Sequence, residues 1–308
     1  MLTAVITGVA GQDGSYLAEL LLSKGYLVVG ITRRHGVNEK YRNIDHLFGH
    51  DNFKFIEGDI SDTTLVSRVL HQYRPHEWYN LAAMSHVGQS FREPLTTFDI
   101  DARAVIGQLE LIRQISPYTR FYQASTSELF GGIGCPEEGY DESSSFNPRS
   151  PYAIAKLAAY WAVRNYRVAY NIFACNGILH NHSSPRRGLD FATRKITRGI
   201  AKVKLGLESS LRMGNLSAFR DEGHSKDYCE AMWLMLQQDV PDDYLIATGS
   251  GATIGEMLKY VCSLANLSPE EVYVQDERYM RPSDVPFLLG NPQKAFDKLG
   301  WKPQYDWR

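Results

Sequence analysis

The sequence predicts an α/β fold: a doubly wound parallel sheet with a smaller C-terminal domain. Three observations carry this reading. Short apolar runs alternate with helical periodicity through the first half, a glycine-rich turn separates the first run from the first helix, and the alternation loosens after about Asn171. Strands separated by helices of this length form βαβ units, which bury both faces of a parallel sheet. With 308 residues and 44% hydrophobic content, the chain can bury a large core and add a small companion domain.

The elements follow in order. Val5 to Thr7 ends a first strand, Tyr16 to Leu22 has helical spacing, and Leu27 to Ile31 is a second, β-branched run. Phe53–Ile56, Trp78–Leu81 and Arg120–Ala124 are further short strands, with helices at Leu65–Tyr73 and Ala102–Ile115 between them. Later helices are expected near Arg194–Lys204, Lys226–Gln237 and Ile254–Leu264, separated by irregular polar stretches. The expected division is residues 1–170 for the sheet domain, with some later segments returning to it, and 171–308 mainly for the second.

Composition excludes several functions. Thirty-three basic against 35 acidic residues leave a net charge of −2, unlike the basic footprint of a nucleic-acid binder. No run approaches the ~18 apolar residues of a membrane span, and the N-terminus has no basic, cleavable leader. The cysteines, Cys135, Cys175, Cys229 and Cys262, are widely spaced without C-x-x-C, which points to reduced thiols in a cytoplasmic protein. No histidine spacing suggests a metal, and none is expected.

Gly8-Val9-Ala10-Gly11-Gln12-Asp13-Gly14 joins the first strand to the first helix. Glycines there let the backbone approach a pyrophosphate, whose charge the helix N-terminus stabilises. A bare glycine-rich turn is common; its place between strand and helix makes this a Rossmann-type dinucleotide site. At the end of the second strand, where an NAD-specific protein carries an acid, stands Thr32-Arg33-Arg34. Arginine suits a 2′-phosphate, so NADP is favoured, against the plain alternative of a solvated basic turn. Gly58-Asp59-Ile60 follows the third strand, where the carboxylate can accept from an adenine amino group.

Tyr152 and Lys156 stand four apart on one helical face. A nearby ammonium stabilises phenolate, so the Tyr152 pKa is expected to fall from about 10 towards neutrality. Such a tyrosine can take a proton from an alcohol while hydride leaves for a nicotinamide. Ala124-Ser125-Thr126-Ser127-Glu128 ends the fifth strand, at the crevice edge of a doubly wound sheet. One hydroxyl there suffices for alcohol oxidation. Glu128 is an addition, suited to removing an acidic proton next to a new ketone, or more plainly to capping the next segment.

Together these residues resemble the extended short-chain dehydrogenase/reductase family, and within it the GDP-mannose 4,6-dehydratases. The stretches that carry the resemblance cover most of the chain, notably Asn181-His182-Ser183-Ser184-Pro185-Arg186-Arg187-Gly188 and Gly214-Asn215-Leu216 through Asp227-Tyr228. The dTDP-glucose dehydratases place Asp where this chain has Ser127, and the epimerases and 4-reductases lack the Glu. The resemblance implies a hydro-lyase in deoxysugar biosynthesis that makes GDP-4-dehydro-6-deoxy-D-mannose. Tyr152, Lys156 and Thr126 would act at C4, and Glu128 at C5. It further implies NADP contacts from Gly8, Val9, Ala10, Gly11, Gln12, Asp13, Arg33, Asp59, Ile60, Leu81, Ala82, Ala83, Ser85, Tyr152, Lys156, His182 and Arg187. Substrate contacts would come from Ser85, Asn181, Lys195, Arg220 and Arg281, the last two having surface ion pairs as their alternative. A homo-oligomer, dimer or tetramer, is implied as well.

Four departures stand out. Met84 replaces a usual Gln, Pro286 replaces a usual acid, and the Arg33–Arg42 loop, which reaches a neighbouring subunit in the family, differs in spacing. The chain ends at Arg308, where relatives continue into another helix, as a compact variant or a truncated chain would. The competing readings are a nucleotide-sugar 4-reductase or epimerase, discriminated by Glu128, and a non-catalytic NADP-binding sensor, discriminated by the intact Tyr152–Lys156 pair.

Overall fold

The structure is a computed structural model that describes residues 1–33 and 41–308. Strand β1 (Thr3–Thr7) is buried along its whole length and leads through the glycine turn into α1 (Gln12–Ser23). β2 (Leu27–Thr32) and β3 (Phe53–Glu57) follow, then α2 (Thr63–Tyr73), whose first turn is capped by Asp62 accepting from the Thr64 N–H at 2.9 Å. Helix α2 buries Leu65, Val66, Val69 and Leu70, a stripe at helical spacing. Each such side chain contributes ~1.5–3 kcal/mol when fully buried.

After β4 (Glu77–Asn80) come two short helices, α3 (Val87–Ser90) and α4 (Pro94–Phe98). A π-helical turn, Asp99–Arg103, leads into α5 (Ala104–Ile115). β5 (Arg120–Ala124) ends in a 3₁₀ turn, Ser127–Phe130. The long helix α6 (Pro151–Tyr170) starts at Ser150, whose hydroxyl caps the Ala153 N–H at 3.1 Å, with Pro151 in the first turn.

The rest of the chain builds two things at once. β6 (Ala174–Leu179) joins the main sheet, and β7 (Asn181–Ser183), α7 (Ala192–Lys204) and β8 (Leu211–Met213) lead away from it. β9 (Phe219–His224) runs into α8 (Ser225–Gln237), and β10 (Tyr244–Ile246) returns to the main sheet. β11 (Gly251–Thr253), α9 (Ile254–Ala265), α10 (Pro269–Val272), β12 (Tyr273–Gln275), β13 (Phe287–Leu288) and α11 (Gln293–Leu299) complete it.

The main sheet is parallel throughout, in the order β10-β6-β5-β4-β1-β2-β3. Strand order reverses between β1 and β4, and in open α/β sheets ligands bind at such a switch point. A smaller sheet, β11-β9-β13 with β7 on β9, and the β8–β12 pair lie in the second half. They share a separate apolar cluster with α7 and α9, including Ile196, Leu211, Met257 and Cys262. Later segments return to the main sheet: β6 and β10 extend it, and α8 packs against it. β10 has three residues, too few to show a period.

Candidate active site

The switch point is held by one hydroxyl. Thr7 Oγ1 donates to Asn80 Oδ1 at 2.8 Å and accepts the N–H groups of Leu81 and Ala82, both at 3.1 Å. The ends of β1 and β4 are thereby locked side by side. Gly8, at φ +71°, lies so close to Ala82 that a Cβ would stand 3.0 Å from its backbone. Gly14 is more constrained still: a Cβ would fall 2.3 Å from the Gly8 carbonyl oxygen. No side chain caps α1 at Gly11, which leaves first-turn N–H groups for an anion.

Asp13 and His182 anchor this turn. The Asp13 carboxylate accepts from His182 Nε2 at 2.9 Å and from Ser225 Oγ at 2.6 Å. The other ring nitrogen of His182 meets the His180 carbonyl at 2.8 Å, and its ring stacks on Tyr228 at 4.2 Å. Both ring nitrogens of His182 are thus engaged within the protein. Val9 departs from the sequence expectation: its side chain is fully buried against Gly30, away from the cleft, and its N–H donates to the Ile31 carbonyl.

From this turn a cleft of about 1530 Å³ runs towards the second half. That exceeds the ~300–1,000 Å³ of a typical small-molecule pocket, enough for two bound molecules. Gly8, Ala10, Gly11, Gln12 and Asp13 line one end, with Arg33, Asp59 and Ile60 beyond β2 and β3. Arg33 is half exposed and its Nη1 lies 3.9 Å from Asp59 Oδ2. Arg34, and most of the Arg33–Arg42 loop, lie outside the described residues. Leu81, Ala82, Ala83 and Ser85 line the wall above β4.

Thr126, Glu128, Tyr152 and Lys156 all line this cleft. Thr126 Oγ1 caps the 3₁₀ turn by accepting the Glu128 N–H at 3.2 Å. Glu128 is therefore the capped residue, and its side chain is free to face Arg281, whose Nη1 lies 3.8 Å from Oε1. Lys156 Nζ donates to the Ala124 carbonyl at 3.0 Å.

The expected fall of the Tyr152 pKa does not occur in this arrangement. Burial pushes the phenol well above its ordinary value, the Asp101 and Glu128 carboxylates add to that, and the Thr126 hydroxyl opposes it only partly. Burial also lowers the Lys156 pKa, while Asp101 raises it. Sequence reading missed Asp101. It is 1% exposed on the π-helical turn, one oxygen accepting the Met84 N–H at 2.8 Å and the other without a partner. In the sequence it stands only as the second of two acids, Asp99 and Asp101, just ahead of the helix expected from Ala102; π-turns recur at functional sites.

Arg187 stands beside the glycine turn: its Nη1 donates at 2.8 Å to the His182 carbonyl, which Gln12 also reaches, and its buried Nε has no partner among the described residues. Further cations follow along the cleft. Asn181 and Lys195 line it, the ammonium sitting 3.1 Å over the Tyr279 ring. Arg220 is buried, and both Arg220 and Arg281 approach Asp284, at 3.8 and 3.7 Å. These ion pairs lie inside the cleft and not on the outer surface. Among the described residues no cluster of His, Cys, Asp or Glu could hold a metal ion, and no helix is long and apolar enough to cross a membrane.

Against known proteins, the family model for GDP-mannose 4,6 dehydratase matches residues 5–308. The chain belongs to this family. It is 47% identical to the GDP-mannose 4,6-dehydratase of Vibrio cholerae over 98% of this chain and 89% of that protein. It is 44% identical to the GDP-mannose 4,6 dehydratase of Homo sapiens over 98% of this chain and 87% of the relative. Among solved structures, dTDP-glucose 4,6-dehydratase from Bacillus anthracis, in complex with NAD, superposes with a TM-score of 0.85 at 21% identity, covering 99% of this chain and 93% of the other. UDP-glucose 4-epimerase from Thermus thermophilus, also with NAD, gives 0.84 at 25% identity, over 98% and 94%.

Proposed function

We propose that the chain is a hydro-lyase that converts GDP-mannose to GDP-4-dehydro-6-deoxy-D-mannose. The observation that carries this is the meeting of Glu128 with Thr126, Tyr152 and Lys156 in one cleft, in a chain of this family. An oxidation site alone needs the last three. The carboxylate beside them gives elimination its base, and this favours dehydration over 4-reduction or epimerisation.

The residues divide the work. Tyr152 takes the C4 hydroxyl proton, with Thr126 holding the same hydroxyl and Lys156 placing positive charge near the phenol. Glu128 takes the C5 proton that the new ketone acidifies, and the C6–oxygen bond breaks so that hydroxide leaves as water with a proton. C5 regains a proton as C6 is reduced, so no net redox change occurs. When bound, a nicotinamide dinucleotide supplies the hydride acceptor at C4 and the donor at C6. The uncapped α1 N-terminus, the glycines at 8 and 14 and the orphaned Arg187 Nε fit its diphosphate. NADP is the cofactor we infer, from Arg33 and the absence of an acid at the end of β2.

Asn181, Lys195, Arg220 and Arg281 would hold the GDP-sugar, with Ser85 facing both ligands, so the later half acts as the substrate-binding part. Exposed apolar residues Ile154, Trp161 and Val168 recur every seven residues along α6, beside exposed Leu95, Phe98 and Ile106 on α4 and α5. Such a stripe supports a homo-oligomer, with sedimentation as its check. Four free thiols support a cytoplasmic location. The deciding test is product analysis after incubation with GDP-mannose and, separately, dTDP-glucose and UDP-glucose. Release of the 4-keto-6-deoxy product from GDP-mannose is expected; a reduced or epimerised product overturns the reading.

A further inference from the structure

The alternation of β9 divides its side chains between two environments. Asp221 turns away from the cleft and accepts the N–H groups of Thr248 and Gly249, both at 2.9 Å. Arg220 and Glu222, on the other face, line the cleft, and Asn181 on β7 is the register partner of Glu222. Glu222 is only 6% exposed. Its Oε1 accepts from the Ser183 hydroxyl, which also bonds to Thr193 Oγ1 at 2.6 Å. Oε2 takes no hydrogen bond from a described residue, yet it is not sealed in the core, so it opens on the cleft.

A buried carboxylate held at one oxygen needs a donor at the other. The neighbouring cations do not supply it. Burial raises the Glu222 pKa, and the charges of Arg187 and Arg220 are among those that oppose the rise, so both guanidinium groups act on it. Neither pairs with it among the described residues. Arg187 Nη1 goes to the His182 carbonyl, and Arg220 goes to the Phe219 carbonyl at 2.8 Å and towards Asp284. A ligand phosphate is no occupant either, because like charges repel. What fits Oε2 is a neutral donor on a bound molecule.

The surroundings say which one. Arg220, Asn181 and, through the Ser183–Thr193 link to α7, Lys195 are the groups assigned above to the GDP-sugar. Its guanine and ribose lie beyond the diphosphate, away from the reacting ring. On the hexose itself, Tyr152 and Thr126 take the C4 hydroxyl and the C6 hydroxyl leaves. We propose that Glu222 is a specificity residue whose Oε2 accepts a hydrogen bond from the C2 or C3 hydroxyl of the bound hexose. The inference rests on the dehydratase reading above, and Glu222 transfers no proton in it.

The test measures dissociation constants of the holoenzyme for GDP and for GDP-6-deoxy-D-mannose, which keeps the C2 and C3 hydroxyls and cannot undergo the elimination. Their ratio isolates what the hexose adds. Glu222→Gln keeps an acceptor for Ser183 and removes the charge, so GDP binding should hold or tighten beside Arg187 and Arg220. The hexose advantage should fall about tenfold, the worth of one hydrogen bond to a charged group. Glu222→Asp keeps the charge and draws the oxygens back, so it should lose the same advantage without any gain for GDP. NADP affinity should not change in either variant. A hexose advantage unchanged in both variants, or a loss that appears in NADP affinity instead, overturns the proposal. A wild type that binds both ligands but converts no GDP-mannose overturns the dehydratase reading alone, and the two constants still decide Glu222.

Discussion

Lys156 Nζ donates to the Ala124 carbonyl at 3.0 Å, which ties the ammonium on α6 to the end of β5. The strand that delivers Thr126 and Glu128 and the helix that delivers Tyr152 are thus joined through the cation itself. The charge that answers this ammonium is Asp101, which also disfavours ionisation of Tyr152.

Asp101→Asn tests that triangle. Removing the anion makes the Tyr152 phenolate easier to form and the Lys156 ammonium easier to lose. Both changes have the same sign, so both limbs of the pH profile of kcat/KM should move to lower pH. Limbs that stay in place, or move apart, would show that Asp101 does not govern the pair.

Much of this site was legible because its chemistry is local. Tyr152 and Lys156 are one helical turn apart, and the Gly8–Gly14 spacing lies between one strand and one helix. What escaped was set by long-range packing. Asp101 reaches the site because a π-turn rotates it inward, which no spacing announces. The return of Tyr244–Ile246 to the main sheet rests on pairing with Gly177–Leu179, a partner far away in sequence. Tyr152 ionisation was misjudged for a related reason: the i,i+4 lysine is visible in the sequence, but burial and two carboxylates from other elements are not. Val9 was grouped with its glycine neighbours, although an apolar side chain in such a turn has the core as its natural place.

Asp13 should make stability acid-sensitive. Burial resists its ionisation, but the His182 charge, hydrogen bonds from His182 and Ser225, and Arg187 outweigh that and hold the carboxyl well below its usual range. A depressed carboxyl pKa stabilises the fold above the unfolded value of about 4, and that stability is lost as pH falls below it. Asp13→Asn should cost ~1.5–3 kcal/mol at pH 7, the worth of a hydrogen bond to a charged group. It should also flatten the fall in melting temperature between pH 5 and about 3. Parallel melting curves for wild type and variant would remove Asp13 from this role.

Arg33 tests the inferred preference for NADP. Its guanidinium is half exposed and only 3.9 Å from Asp59, an ion pair weak enough to give way to a phosphate. Arg33→Ala should weaken NADP binding by about 1.5–3 kcal/mol, roughly ten- to a hundredfold, and leave NAD nearly unchanged. Calorimetric titration of both dinucleotides measures this. Equal losses would mean that Arg33 does not read the 2′-phosphate.

Glu128 separates dehydration from every other chemistry this cleft could perform. Its backbone N–H is held by Thr126 at 3.2 Å, while its carboxylate faces Arg281 at 3.8 Å, so position and reactivity depend on different atoms. Glu128→Gln keeps the size and the capped backbone but cannot accept the C5 proton. Oxidation at C4 by Tyr152 should survive, and reduced cofactor should accumulate, visible at the nicotinamide absorbance band. Elimination should slow by the ~10²–10⁴-fold of a lost general base, and exchange of the C5 hydrogen with solvent deuterium should slow with it. Tyr152→Phe is the control, because it should block the earlier step and leave the absorbance flat. Were Glu128→Gln to release product at the wild-type rate, the carboxylate would be a spectator, and the chemistry would revert to reduction or epimerisation at C4.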